Sequence, residues 1–130
     1  MRTIFQTGET KLHVFKVKEA DFARFEAESV HQVCSTFALA REIEWSTRLF
    51  VKDMLEEGEE GIGTFLSVQH KSPALAGQSV EIIATFEGVV EGEILCSYKA
   101  MVGDRVVAEG RTGQKILPKS KINSLFERLK

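Results

Sequence analysis

Residues 35–58 read STFALAREIEWSTRLFVKDMLEEG, and the periodicity of that stretch decides the architecture. Phe37, Leu39, Ala40, Ile43, Phe50, Val51, Met54 and Leu55 return at three- and four-residue intervals, as on one face of an α-helix. Either Ser35 or Thr36 can cap its start, because a hydroxyl there accepts an orphan backbone N–H. After Glu56-Glu57, Gly58 can adopt the left-handed conformation that closes a helix. A helix of about 20 residues is about 30 Å long, which in a chain of 130 residues requires a broad surface to pack against.

The flanking segments supply that surface. Residues 9–17 alternate as a strand does, with Leu12 and Val14 on one side and Lys11, His13 and Phe15 on the other. Residues 18–28 are charged, and Phe22 and Phe25 stand three apart, which suits a short helix or a structured connection. Downstream, residues 62–70, 78–90, 92–102 and 105–117 are strand candidates. Turn signals separate them at Pro73–Gly77, Gly88–Gly92 and Gly103-Asp104. Residues 119–130 form a short amphipathic helix carrying Ile122, Leu125, Phe126 and Leu129. Successive strands joined by short turns are antiparallel. One long helix wrapped by one curved antiparallel sheet is an α+β architecture, the hotdog arrangement. Residues 1–130 form a single domain, without repeat or linker. Bare sheet edges are commonly covered by a second copy, so a homodimer or higher homo-oligomer is expected.

Composition narrows the function. Hydrophobic residues make up 43% and charged residues 28%, an ordinary globular balance. The net charge of −2 gives no basic excess for nucleic acid. No apolar run reaches the length of a membrane helix or a signal peptide, so a cytoplasmic protein is expected. The two cysteines, Cys34 and Cys96, suit free thiols in a reducing compartment.

Few residues stand out chemically. On a helical wheel Glu44 falls at the margin of the apolar stripe, aimed at the sheet or its rim. A carboxylate there is costly unless paired or functional, and otherwise reaches out to water. Thr36 lies eight residues before Glu44, about 12 Å along the axis, so the two can bracket a substrate without touching. Strict strand parity puts His70 on one face with Ile62, Thr64, Leu66 and Val68. Gly61 and Gly63 permit close approach to the backbone. No phosphate loop, Gly-x-Ser-x-Gly elbow or zinc spacing occurs.

Taken together, Cys34-Ser35-Thr36, Glu44-Trp45, Leu55-Glu56-Glu57-Gly58-Glu59, Gly61-Ile62-Gly63-Thr64, Val68-Gln69-His70 and Pro73-Ala74-Leu75-Ala76-Gly77 resemble the fluoroacetyl-CoA thioesterase-like family of hotdog proteins. The resemblance covers roughly residues 33–117. It implies an acyl-CoA thioesterase whose catalytic set is Thr36, Glu44 and His70, with Gly63 contacting the substrate carbonyl. It implies no cofactor beyond the CoA of the substrate, and no metal. Gln114 stands where the family carries an arginine, with loss of a charge and a bidentate fork. Arg111 and Lys115 are the nearest cations for the CoA phosphates, although their side chains leave the strand in another direction. The competing readings are a hotdog protein that binds acyl-CoA without hydrolysis, and a hydratase. A hydratase would want a histidine near an aspartate, and the helix's only aspartate, Asp53, is far along.

Overall fold

The structure, a computed structural model, describes residues 1–25 and 28–130. Its elements are β1 (Thr10–Lys16), a 3-10 turn (Glu19–Asp21), β2 (Phe22–Phe25), β3 (Glu28–Cys34), α1 (Thr36–Met54), β4 (Glu59–Leu66), β5 (Gln69–His70), β6 (Ser79–Val90), β7 (Glu93–Val102), β8 (Arg105–Pro118) and α2 (Lys119–Arg128). The main sheet runs β1-β6-β7-β8-β4, antiparallel throughout, and β5 pairs with β8 beyond the end of β4. It curls around α1, the hotdog arrangement expected from the order of elements.

Alternation drives the packing. Val80, Ile82, Ala84 and Phe86 of β6, and Ile94, Cys96, Tyr98 and Ala100 of β7, are buried toward the helix. Each large apolar side chain so buried contributes about 1.5–3 kcal/mol. Two apolar clusters result. One gathers Leu39 and Ile43 from the first half of α1 with Val80, Ile82, Tyr98 and Val107. The other gathers Phe50, Val51 and Met54 with Phe86, Ile94 and Cys96. Phe5 meets Phe50 edge-to-face, with ring centroids 5.0 Å apart. Between the clusters the helix presents Ser46 and Thr47, and β8 presents Thr112 and Gln114, all buried. A polar waist thus divides the core.

Ser35 is the helix cap: its Oγ accepts from the Ala38 N–H at 3.0 Å. The helix stops at Met54, short of the expected end, and the Arg2 N–H donates to the Met54 carbonyl at 2.7 Å. Gly58, with φ of +80°, instead turns the chain toward β4.

Of the two readings of segment 18–28, the helix is not the one found: its described residues form the 3-10 turn and β2, which pairs with β3. Residues 26 and 27 lie outside the described residues. Long-range bonds override the local spacing of Phe22 and Phe25: Phe22 registers with Cys34, and the Ser35 N–H donates to the Asp21 carbonyl at 2.8 Å. Asp21 itself is fully buried, with its carboxylate held by the Lys18 N–H at 3.1 Å and by Arg41 Nη2 of α1 at 2.9 Å. Burial pushes its carboxyl up, but the Lys18 N–H and the Arg41 guanidinium outweigh this and leave it below the usual carboxylate range.

The strand expected over 62–70 is also interrupted. Gly63 registers with Gln114 but Phe65 registers with Gly113, so Thr64 is an extra residue, a β-bulge. It reverses the parity of everything after it. Gly61 and Gly63 face the helix before the bulge; Leu66, Val68 and His70 face inward after it. Ile62 and Thr64 lie on the outer face, where the Thr64 hydroxyl donates to Glu93.

Cys34 and Cys96 are free and buried, and burial pushes their thiols up to about 11 and about 12. No described helix is long and apolar enough to cross a membrane.

Candidate active site

The start of α1 places the first pair of groups. Because Ser35 takes the capping bond, the neighbouring Thr36 hydroxyl is free. It lies 2.9 Å from His70 Nδ1. His70 reaches it because β5 registers Gln69 and His70 against Glu109 and Ala108, with the imidazole on the helix side of the sheet. His70 Nε2 is buried and has no hydrogen-bond partner among the described residues. A hydroxyl at hydrogen-bond distance from an imidazole is the geometry that activates an oxygen or relays a proton.

Two turns along α1, Glu44 meets Gly63. A Cβ at Gly63 would lie 2.8 Å from Glu44 Oε1, so the carboxylate rests on the glycine's bare inner face. Glu44 is exposed at the rim of the sheet, as its wheel position indicates. It opens a hollow of about 330 Å³ lined by Arg41, Glu42, Glu44, Trp45 and Arg48. Arg48 is fastened to β4, with Nη2 2.7 Å from Glu60 Oε1 and Nη1 donating to the Gly61 carbonyl at 3.3 Å. The Gly61 N–H, opposed by burial and aided by Arg48, holds the Glu60 carboxyl below its usual range. Arg41 and Arg48 escaped the sequence reading, although their i−3 and i+4 spacing from Glu44 puts them on the same helical face.

The residues therefore sort into two pairs and an outlying set. Thr36 with His70, and Glu44 with Gly63, stand about 12 Å apart along α1. Arg111 and Lys115 are exposed and belong to the outer face of β8, away from both pairs, whereas Gln114 between them in parity points inward. Arg111 borders a groove of about 650 Å³ on the outer face, which also takes in Ser67, Gln69, Ile83, Ser97 and Lys99. That groove is larger than the hollow at Glu44, but neither pair of reactive groups lines it. No group of three or more His, Cys, Asp or Glu side chains is placed to hold a metal among the described residues.

Among the described residues the outer edge of β4 has no strand beside it in the main sheet; Arg48 and the Glu60 side chain reach the Gly61 backbone there, and the rest of the edge is open to a further strand. Large apolar side chains stand exposed near the two pairs: Phe37 is 83% exposed, and Trp45 and Phe65 are each 42% exposed.

Comparison with solved structures bears on this arrangement. A Thermus thermophilus protein described as a thioesterase superfamily member is 32% identical, with 98% of this chain and 94% of that chain covered and a TM-score of 0.91. The fluoroacetyl-CoA thioesterase FlK aligns over 95% of this chain and 96% of its own, at 21% identity and a TM-score of 0.83. A hot-dog-like protein from Thermanaerovibrio acidaminovorans covers 97% of this chain and 94% of its own, at 22% identity and a TM-score of 0.87. The last two likenesses are of fold. No curated protein sequence matches the chain. The fluoroacetyl-CoA-specific thioesterase family matches residues 17–120, a span that holds Thr36, Glu44, Gly63 and His70, and the chain belongs to that family.

Proposed function

We propose that the chain is an acyl-CoA thioesterase, hydrolysing a thioester to a carboxylic acid and free CoA, and that two copies complete each site. The observation that carries this reading is the 2.9 Å contact between the Thr36 hydroxyl and His70 Nδ1, on the same helix that two turns later lays the Glu44 carboxylate on Gly63. The Gly63 N–H, with the Thr36 hydroxyl, binds the thioester oxygen as negative charge develops on it. Glu44 takes a proton from the attacking water. The carbon–sulfur bond breaks, the departing thiolate takes a proton from His70, and the proton held by Glu44 passes through solvent to restore His70, so the water oxygen ends in the acid and one proton on CoA.

The Thr36–His70 contact also favours a second route, in which the Thr36 oxygen attacks and an ester forms on it before water releases the acid. Mass spectrometry of the protein quenched during turnover separates the routes: an acyl mass on Thr36 establishes the second, and a bare Thr36 the first.

Within one chain the two pairs stand too far apart to act on one carbonyl. The unpaired edge of β4 and the exposed Phe37 and Trp45 support pairing with a second copy, which would bring Glu44 and Gly63 of one chain to Thr36 and His70 of the other. Mixing Glu44→Ala and His70→Ala proteins should then restore activity that neither has alone; no restoration argues for a site within one chain. Light scattering at micromolar concentration should give a dimer or larger, and a monomer would sink the assembly. For the CoA phosphates, Arg111 in the outer groove and Lys115 are the proposed cations. The two buried free thiols support a reducing, cytoplasmic setting.

The deciding experiment is thiol release from short, long and aromatic acyl-CoA esters. The wild type should hydrolyse at least one, and Glu44→Gln and His70→Ala should each lose about 10²-fold or more. A folded wild type that binds acyl-CoA and hydrolyses none would be a binding protein instead.

A further inference from the structure

The polar waist of the core has a geometry that packing alone does not account for. Thr112 and Gln114 occupy the helix-facing side of β8, each 2% exposed, between two apolar clusters. Gln114 Nε2 donates to Thr47 Oγ1 at 3.2 Å. Thr47 Oγ1 in turn donates to the Glu44 carbonyl at 3.2 Å. In the ladder, Gln114 is the register partner of Gly63. A continuous connection therefore runs from the strand position beside Gly63, through one amide and one hydroxyl, to the turn of α1 that carries Glu44. Neither Gln114 Oε1 nor Thr112 Oγ1 has a hydrogen-bond partner among the described residues. An unpaired buried acceptor costs free energy, and an apolar side chain of similar volume would avoid that cost. Stability is thus a poor reason for an amide at this place.

Position is a better one. At the exposed rim Arg48 ties α1 to Glu60 and the Gly61 carbonyl, but in the interior α1 rests on β4 and β8 through apolar contacts such as Val51 over Gly61, where a Cβ would come within 2.6 Å of Val51 Cγ1. Apolar contacts are non-directional and let a helix slide or roll by tenths of an ångström. A buried hydrogen bond has one length and one direction. The Glu44 carboxylate, exposed and at the end of a flexible side chain, depends on its backbone turn to stay over Gly63.

We infer that Gln114 is a positioning residue which, acting through Thr47, sets the height of the Glu44-bearing turn of α1 over Gly63. The inference rests on the thioesterase reading for its consequence in catalysis, but its structural content stands on the contacts alone. Gln114 touches neither the reacting carbonyl nor the CoA.

The test uses the full chain and four variants: Gln114→Met, Thr47→Val, the double variant, and Thr47→Ser. The expected results are a thermal midpoint at or above that of the wild type for Gln114→Met, with kcat down by about tenfold or more and KM within about twofold, since sub-ångström misplacement acts on the chemical step. Thr47→Val should show the same split, the double variant should be no worse than the poorer single one, and Thr47→Ser, which keeps the hydroxyl, should recover most of kcat. A merely structural role would lower the midpoint and leave kcat per folded molecule unchanged. Wild-type kcat in a folded Gln114→Met, or losses that multiply in the double variant, would overturn the inference. If Gln114→Met does not fold, the contrast between Thr47→Val and Thr47→Ser decides. If the wild type hydrolyses no thioester, the functional reading fails separately, and the amide 1H–15N shifts of Glu44 and Gly63 decide: movement of both in Thr47→Val relative to Thr47→Ser upholds the connection, and unchanged shifts refute it.

Discussion

Replacing Gly63 by alanine should inactivate the protein while leaving it folded. The added Cβ would stand 2.8 Å from Glu44 Oε1, closer than carbon and oxygen tolerate, and 3.9 Å from the carboxyl carbon. What must yield is the far end of an exposed, rotatable side chain, so the carboxylate swings off the glycine. Gly63 is not among the residues with positive φ, so alanine fits the backbone there. Gly-to-Ala at a compatible position gains about 0.4–1 kcal/mol, which offsets much of the displacement, and the net stability change should stay within about 1 kcal/mol. Activity should fall by about 10²-fold, or about 2.7 kcal/mol at 1.36 kcal/mol per tenfold, because in the proposed mechanism Glu44 must reach the water that attacks the carbonyl. The sister glycines calibrate the argument. At Gly61 the intruding methyl meets Val51 Cγ1 at 2.6 Å, a buried branched side chain, and overpacking should cost about 1–3 kcal/mol. At Gly110 it meets the Ser67 backbone oxygen at 2.2 Å, where only the chain itself can move, and the cost should reach or exceed the top of that range. Urea unfolding should rank the losses Gly63→Ala, Gly61→Ala, Gly110→Ala in increasing order, while thiol release per folded molecule should be poorest in Gly63→Ala. Wild-type turnover in Gly63→Ala, or a midpoint depressed as far as that of Gly110→Ala, would refute the reasoning.

Phe50→Ala should destabilise by about 3–5 kcal/mol, since Phe50 is fully buried between Phe5 and Phe86; a loss below about 1 kcal/mol in chemical denaturation would show that this cluster adds little. Ser35→Ala should cost about 1 kcal/mol as a lost cap with little effect on turnover, whereas Thr36→Val should do the reverse; equal stability losses in the two would mean that the hydroxyls share the capping role. Asp21 has a folded-state carboxyl below its usual range, so its stabilisation is complete at neutral pH and is lost as pH falls beneath about 4 toward the folded value. Asp21→Asn should flatten the decline of the urea midpoint across that acid range, and an unchanged slope would move the acid sensitivity elsewhere.

Much of the fold is readable in the sequence. The repeat of Leu39, Ile43, Phe50, Val51 and Met54 announces α1, and Pro73–Gly77 and Gly103-Asp104 delimit the strands, because these signals are local. Glu44 is located by its wheel angle for the same reason. What escapes depends on pairing at a distance. The 3-10 turn at Glu19–Asp21 and the pairing of β2 with β3 are stabilised by the partners of Asp21 and Ser35, which charge and phenylalanine spacing cannot reveal. Strict alternation assigns His70 to one face with Ile62 and Thr64, but its true inner companions upstream are Gly61 and Gly63, because a bulge leaves no mark in that alternation. The outward direction of Arg111 and Lys115 is implicit in alternation around Gln114, yet the depth of Gln114 beneath Gly63 emerges only from the ladder.

The extra residue at Thr64 gives this strand something like a reading frame. Upstream of it the chain is phased so that two bare glycines admit the helix; downstream it is phased so that an imidazole enters the cleft. Removing that extra residue would let both halves run in plain alternation on the same β8 partners, whereas adding one more without a second bulge would turn one half inside out, exposing His70 or driving Ile62 into α1. The phase of this segment is therefore as much a part of the site as its side chains: a change of one residue between the glycines and the histidine has to be matched by the gain or loss of a bulge.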